Sequence, residues 1–220
     1  MSKKQFAIIG TGRFGSSVAK TLYNLGHDVL AIDIDEEIVN EMADYVTHAV
    51  QLDATDENAL KAIGIRNFDV VVVTIGENIQ SSIMTTLIVK ETGVKKIIVK
   101  ANSELHEKVL YKIGADRVIL PEKEMGVRVA NNLVSSSVLD YIELSSEYSV
   151  VEIETLKEWH NKTIGELSLR SKYGISVIAI KRNNELNISP YASDMFQPGD
   201  IIVALGKIAQ LSKLDGKVSY

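Results

Sequence analysis

The sequence predicts an α/β chain: a doubly wound parallel sheet of six strands in the order 3-2-1-4-5-6, followed by a small C-terminal α+β lobe. Three observations predict it. Short apolar runs alternate with helix-period segments through residues 1–139. A Gly-Thr-Gly-Arg-Phe-Gly turn at residues 10–15 joins the first run to the first helix. Beyond residue 139 the pattern changes to strand-like runs separated by Asn-Asn and Pro-Gly-Asp turns, so two domains are expected, 1–139 and 140–220.

The first run, residues 6–9, is too short to cross a bilayer and reads as a buried parallel strand. Gly10 makes the tight turn after it, Gly12 lets backbone N–H groups approach a phosphate, and Gly15 lets helix and strand pack closely. The helix continues through Val18, Leu22 and Leu25 to a stop at Gly26. Its N-terminus turns partial positive charge toward an anion held in the loop. The second strand, residues 29–32, ends on Asp33, placed to accept from ribose hydroxyls and to repel a 2′-phosphate. It is this Rossmann-like context, more than the glycines, that points to an adenine nucleotide. Arg13 opposes the helix dipole unless an anion sits nearby. It is either a solvated surface arginine or a contact to a terminal phosphate, and the second reading favours ATP or ADP over a nicotinamide dinucleotide.

Residues 35–45 follow as a short helix with Asp35 as N-cap and Ile38, Val39 and Met42 inward. Strand three, 47–52, ends in Asp53-Ala54-Thr55, and a helix over 56–63 closes at Gly64. Residues 68–75 are the most apolar run and read as a central strand, turning at Ile75-Gly76-Glu77 into a helix with Ile79, Ile83, Leu87 and Ile88 on its inner face. Strand five, 96–101, carries Lys100 near its end; a helix over 104–113 leads to strand six, 117–120, and to Pro121-Glu122. Polar or glycine residues thus collect at all six strand tips, where ligands bind in such sheets. Glu122 reads either as an acid in the first turn of the next helix or as a ligand, through a bridging cation, to bound phosphates. That next helix is expected over 125–138, free to pack on a second subunit.

In the second lobe, 141–144 and 149–153 read as strands and Thr163 to Glu166 as a capping box. Arg170 to Gly174 reads as a basic turn into a strand over 175–181, with further strands at 186–189 and 201–205 and a last helix over 207–214. A lobe of about 80 residues buries only about 60% of its unfolded surface, so pairing with a second copy would help it. Composition sets outer bounds. The net charge of −5 argues against nucleic acid as a partner, and the absence of cysteine excludes thiolate chemistry. Residues 1–5 run straight into the first strand, so neither a signal peptide nor membrane insertion is expected. His27, His48, His106 and His160 share no metal-ligand spacing, no nucleophile has an evident base, and Trp159 reads as packing or interface.

With these features placed, the chain resembles the RCK (KTN) family, the cytosolic regulatory subunits of bacterial Ktr and Trk potassium uptake systems. FAIIGTGRFGSSVAKTL, VLAIDIDEEIVN, THAV, DAT, IGIRNFDVVVVTIGENIQSSIMTTL, KIGADRVILPEKEMG and YGISVIAIKR carry the likeness to Ktr-type subunits across the chain. The resemblance implies a non-enzymatic, cytoplasmic regulator: a homo-octameric ring of dimers docked on a membrane potassium translocator at the inner face of the cell membrane. ATP and ADP would hold the ring in different shapes. It further implies that Gly10, Thr11, Gly12, Arg13, Phe14 and Gly15 hold phosphates, with Arg13 reaching toward a γ-phosphate. Asp33, with Ile34 beside it, would take the ribose; Asp53, Ala54, Thr55, Ile75, Gly76 and Glu77 would frame the adenosine, and Lys100 would lie near the phosphates. Glu122 would hold a cation (Mg, Ca or Na) between nucleotides of paired subunits.

In the second, RCK_C lobe the resemblance implies cyclic di-AMP as an inactivating effector. Arg170 and Lys172, doubled about a two-fold axis, would meet its phosphates, and Ile164, Ile175 and Pro190 would cradle its adenines. The bland reading is that both cations decorate a helix C-terminus. Two alternatives stand beside this function: an NAD(H)-sensing Trk-type regulator, and an NAD-dependent dehydrogenase, for which 140–220 offers no recognisable acid/base.

Overall fold

The computed structural model describes residues 2–134, 138–145, 147–183 and 185–215. Its chain divides into two compact units, Met1–Lys123 and Glu124–Tyr220.

In the first unit the strands β1 (Gln5–Ile9), β2 (Asp28–Asp33), β3 (His48–Gln51), β4 (Val70–Val73), β5 (Ile97–Lys100) and β6 (Arg117–Ile119) form one parallel sheet. Their order is β3-β2-β1-β4-β5-β6, as expected from alternating apolar and helical segments. Between them run α1 (Arg13–Asn24), α2 (Glu36–Met42), α3 (Glu57–Ala62), α4 (Ile79–Glu91) and α5 (Glu104–Lys112). The period-two alternation of the strands sorts the core into two layers. Ile8, Val29, Ala31, Val70 and Val72 face one way and pack with Ala19 of α1 and Met42 of α2. Ala7, Ile9, Ile32, Val71 and Val73 face the other way and pack with Leu60 of α3, Ile88 and Val89 of α4 and Leu110 of α5. All four β4 valines are buried, and each contributes about 1.5–3 kcal/mol relative to exposure.

Local chemistry sets the helix limits. Asp35, Asp56, Asn78 and Ser103 each accept a hydrogen bond from a backbone N–H in the first turn that follows. Gly26 lies at φ +86° beyond the α1 end and Gly64 at φ +70° beyond α3, the left-handed conformation that ends helices. Two expectations need correction here. On the inner face of α4 Ile88 is buried and Ile83 packs against the core as expected, but Ile79 is exposed, and Ser82, Thr85, Thr86 and Val89 are buried with Ile88. Two of the three hydroxyls are satisfied, Thr86 donating to the Ser82 carbonyl at 2.7 Å and Thr85 to the Ala54 carbonyl at 3.2 Å, while the buried Ser82 Oγ finds no partner among the described residues. The sixth helix, α6 (Pro121–Val134), starts at Pro121 rather than 125. Proline suits the first helical position, where its missing N–H costs nothing. Residues 135–137, expected in that helix, lie outside the described residues.

The second unit holds an antiparallel sheet of β7 (Val138–Glu143), β8 (Tyr148–Glu154), β9 (Ile175–Arg182), β10 (Glu185–Asn187) and β11 (Ile201–Lys207), ordered β10-β9-β11-β8-β7. Trp159 and Phe196 are fully buried at its core with Ile153, Ile175 and Ile202, so Trp159 is packing. The capping box at Thr163 and Glu166 forms as predicted and opens α7 (Ile164–Leu167). Ser168 then adopts φ +48°, and α8 (Leu169–Lys172) replaces the expected basic turn. The last helix is α9 (Ile208–Asp215).

Candidate functional site

The parallel strands of the first unit share one carboxyl edge, and there a cavity of about 1280 Å³ opens. Gly10, Gly12, Arg13, Phe14, Asp33, Ile34, Asp53, Ala54, Thr55, Ile75, Gly76, Glu77, Lys100 and Glu122 all line it. Thr11 and Gly15, also expected there, serve the cavity from behind.

The glycine turn is built by close approach. Gly10 sits at φ +88°, and its N–H donates to the Ile32 carbonyl at 2.8 Å. A Cβ on Gly15 would lie 2.0 Å from the Gly10 carbonyl oxygen and 2.5 Å from Thr74 Oγ1, so no larger residue fits. Thr74 Oγ1 itself donates to the Gly10 and Ile9 carbonyls, tying β4 to the turn. Gly12 differs: its φ is −61°, and an added Cβ would meet no atom within 4 Å. Neither strain nor protein packing explains glycine there. Gly12 also caps α1 without a side-chain hydrogen bond, and the first turn of α1 carries no acid. Its dipole end therefore lies at the cavity with no acid of its own first turn to oppose it.

Asp33 is fixed from two sides. Thr11 N–H and Oγ1 donate to Oδ2 at 2.6 and 3.2 Å, and the Asp35 N–H donates to Oδ1 at 3.1 Å. Thr11 is buried, so it orients Asp33 rather than facing the cavity. Asp53 Oδ1 accepts from Thr55 Oγ1 at 2.7 Å and from Thr55 N–H at 2.9 Å, and these bonds hold its carboxyl below the usual aspartate value. Ile34, Ile38, Leu52 and Ala54 supply apolar wall on the same side.

At the other end Lys100 Nζ pairs with Glu122 Oε1 at 2.6 Å and lies 5.9 Å from the centre of the Phe14 ring. The Lys100 hydrogen bond, then the Glu122 backbone N–H and the charges of Lys100 and Arg13, hold the Glu122 carboxyl below its ordinary value. Glu122 lies in the first turn of α6 and engages Lys100 at the same time. Among the described residues no three His, Asp or Glu side chains group as a metal site.

The sequence reading missed Ser17, Thr74, Asn78, Ser81 and Asn102, which also line the cavity. Asn102 had a usable signal, a polar residue just past a strand tip; its Nδ2 donates to the Gly76 carbonyl and ties two tips together. Its N–H also donates to His106 Nδ1 at 3.4 Å, and burial pushes the His106 imidazole down.

The residues expected in the second-unit site differ in exposure. Arg170 and Lys172 are exposed at the end of α8, while Ile164 and Pro190 are half-buried. Ile175 is fully buried against core neighbours, so it supports this lobe from inside and is corrected from ligand cradle to core. A pocket of about 330 Å³ in this unit is lined instead by residues including Arg182, Leu186, Asn187, Asp194 and Met195. Beside it Arg182 forms a two-armed pair with the fully buried Asp200, Nε and Nη2 each 2.7 Å from a carboxylate oxygen.

A parallel sheet with a glycine turn at one strand tip and an acid at the next defines a nucleotide-fold domain, here joined to a small antiparallel lobe. Residues 6–121 match the TrkA-N domain and residues 149–217 the TrkA-C domain, and the chain belongs to the family of potassium-uptake proteins that join the two. Within it the chain is 51% identical over 218 residues to Ktr system potassium uptake protein C of Bacillus subtilis (strain 168), covering 99% of both chains. It is 48% identical to Ktr system potassium uptake protein A of the same organism, covering 99% of this chain and 98% of that one. The Ktr-type resemblance thus holds along the whole chain, and these are names of uptake proteins, not of enzymes. The GsuK RCK domain matches 100% of this chain and 48% of its own at a TM-score of 0.69 and 17% identity, a likeness of fold. No helix among the described residues is long and apolar enough to cross a membrane.

Proposed function

We propose that this chain is the nucleotide-sensing regulatory subunit of a Ktr-type potassium uptake system, taking ATP or ADP in its first unit and acting on a membrane potassium translocator from the cytoplasmic face. The observation that carries the reading is the cavity, lined by Asp33 at the β2 tip, by Arg13 at the start of α1 and by Lys100 at the β5 tip, with β1 and β4 between those two strands. A nucleotide needs that order: an acceptor for ribose, dipole and N–H groups for phosphates, and cations for the terminal charge. Gly12, with open space where a Cβ would point, fits a phosphate approaching the backbone.

Calorimetry against ATP, ADP and NADH tests it. ATP and ADP are expected to bind, and tighter binding of NADH than of either would move the chain to the NAD(H)-sensing alternative. Asp33→Asn should weaken all adenosine nucleotides by about 1.5–3 kcal/mol, while Arg13→Ala should weaken ATP more than ADP. Equal losses in Arg13→Ala would remove the γ-phosphate contact.

The finer parts of the reading have separate supports. Exposed Met125, Val127, Val129 and Leu133 on α6 support a dimer contact within an octameric ring, and a stable monomer in light scattering with ATP present would defeat it. A cation at Glu122 would need phosphate oxygens or a second copy to complete its shell. Cyclic di-AMP, a two-fold ligand, suits Arg170 and Lys172 doubled across paired lobes, with Ile164 and Pro190 at its bases. Titration of cyclic di-AMP into the wild-type chain and Arg170→Ala checks this, and equal binding by both would return Arg170 to the surface.

A further inference from the structure

The two cationic side chains of the cavity already face a carboxylate that belongs to the protein. Lys100 keeps only 13% of its side chain exposed, and its Nζ lies 2.6 Å from Glu122 Oε1. Glu122 is 70% exposed, sits in the first turn of a helix, and also feels the Arg13 charge. The asymmetry matters. A largely buried ammonium needs a counter-charge, whereas an exposed carboxylate can be released to water at little cost.

We propose that Glu122 is an internal competitor for the phosphate end of this site, and that Lys100 exchanges Glu122 for the terminal phosphates of an arriving nucleotide. The proposal rests on the nucleotide reading above and adds its regulation. Lys100 stays put on β5, held near the Phe14 ring and Gly76. A di- or triphosphate brings more negative charge than one carboxylate, so it displaces Glu122 from Lys100. AMP, whose single phosphate belongs at the glycine turn, leaves the pair closed. Glu122 is then free only when a polyphosphate is bound, and its state reports the phosphate count.

The test is calorimetry in EDTA, so that no divalent cation takes part, on wild type, Glu122→Gln, Lys100→Met and the double variant. Glu122→Gln removes the competitor without touching the core and should tighten ATP by about fivefold, ADP less, and AMP not at all. In the Lys100→Met background the same change should have a smaller effect on ATP, since the shared partner is gone. Unchanged or weaker ATP binding by Glu122→Gln, or an equal gain for AMP, overturns the exchange while leaving the nucleotide reading intact. Failure of the wild-type chain to bind any of the three overturns both. Should Lys100→Met not fold, Lys100→Arg serves instead: it keeps the charge, and Glu122→Gln should still tighten ATP in that background.

Discussion

The two units solve the same packing problem with opposite strand arrangements, and among the described residues the first gathers a cavity of about 1280 Å³ where the second holds a pocket of about 330 Å³. In the first unit every strand points the same way, so six carboxyl ends share one edge. Residues distant in sequence, such as Gly10, Asp33, Asp53, Gly76 and Lys100, arrive together at one cavity. In the second unit the strands alternate in direction, and its polar tips are shared between two edges. What the second unit concentrates is internal: a Trp159, Phe196 and Tyr173 cluster, and the Arg182–Asp200 pair with Met195 and Gln197 around it. Parallel topology spends its polar residues on a rim, antiparallel topology on a tie.

That contrast predicts where substitutions hurt. Trp159→Ala should be the most damaging, costing about 3–5 kcal/mol, because a fully buried indole leaves a cavity. Urea unfolding followed by circular dichroism measures it, and protection of the chain by ATP should persist in the variant. A loss under 1 kcal/mol would mean the second core is looser than its burial indicates.

Next comes Asp200→Ala, expected to cost roughly 3 kcal/mol, the low end for a broken buried pair because Arg182 keeps some access to water. Burial pushes the Asp200 carboxyl up, but hydrogen bonds from Arg182 and the Gln197 N–H, with the Arg182 charge, outweigh it and hold the pKa down. An aspartate in the unfolded chain titrates near about 3.9. The pair's contribution is therefore complete above that pH and is lost as pH falls through the lower folded value. Acid unfolding of Asp200→Asn should accordingly start from a lower plateau and fall less steeply below about pH 4.

Smaller and more diagnostic is the pair of glycine variants in the first unit. Gly15→Ala forces Cβ into the Gly10 carbonyl and should cost about 1–3 kcal/mol of stability. Gly12→Ala should leave stability within about 0.5 kcal/mol, since its backbone is ordinary and the space around it is open. Yet it should weaken ATP binding more than any other change of that size. Thermal melts with and without ATP separate the two effects, and equal protection of Gly12→Ala and wild type would remove the phosphate from that loop.

The same contrast explains how much could be read in advance. A parallel α/β sheet advertises itself in sequence through apolar runs and glycine turns, and residues 70–73, the heart of the expected central strand, are buried throughout. The residues lining its cavity were legible for the same reason, being the residues just past each run. The inner face of α4 was harder to read because polar side chains lie on it: Thr85 and Thr86 are buried with their hydroxyls bonded to carbonyls, and Ser82 is buried beside them. The second unit gave fewer signals. Asp200 looked like an ordinary turn residue, and nothing near it announced an arginine 18 positions away. Ile175, which the resemblance placed in a cradle for adenines, has its side chain in the core beside Gly206.

The clamp on Asp33 has one last consequence, and it is thermodynamic. Thr11 and the Asp35 N–H already hold both oxygens of that carboxylate, so its rotamer is chosen before any ribose arrives. An unrestrained side chain would lose about 0.5–1.5 kcal/mol of freedom on meeting a ligand, and Asp33 has little left to lose. Loosening the clamp with Thr11→Val, which removes the Oγ1 bond and keeps both backbone N–H bonds, should then appear in calorimetry as a slightly less favourable binding entropy for any nucleotide whose ribose Asp33 accepts from.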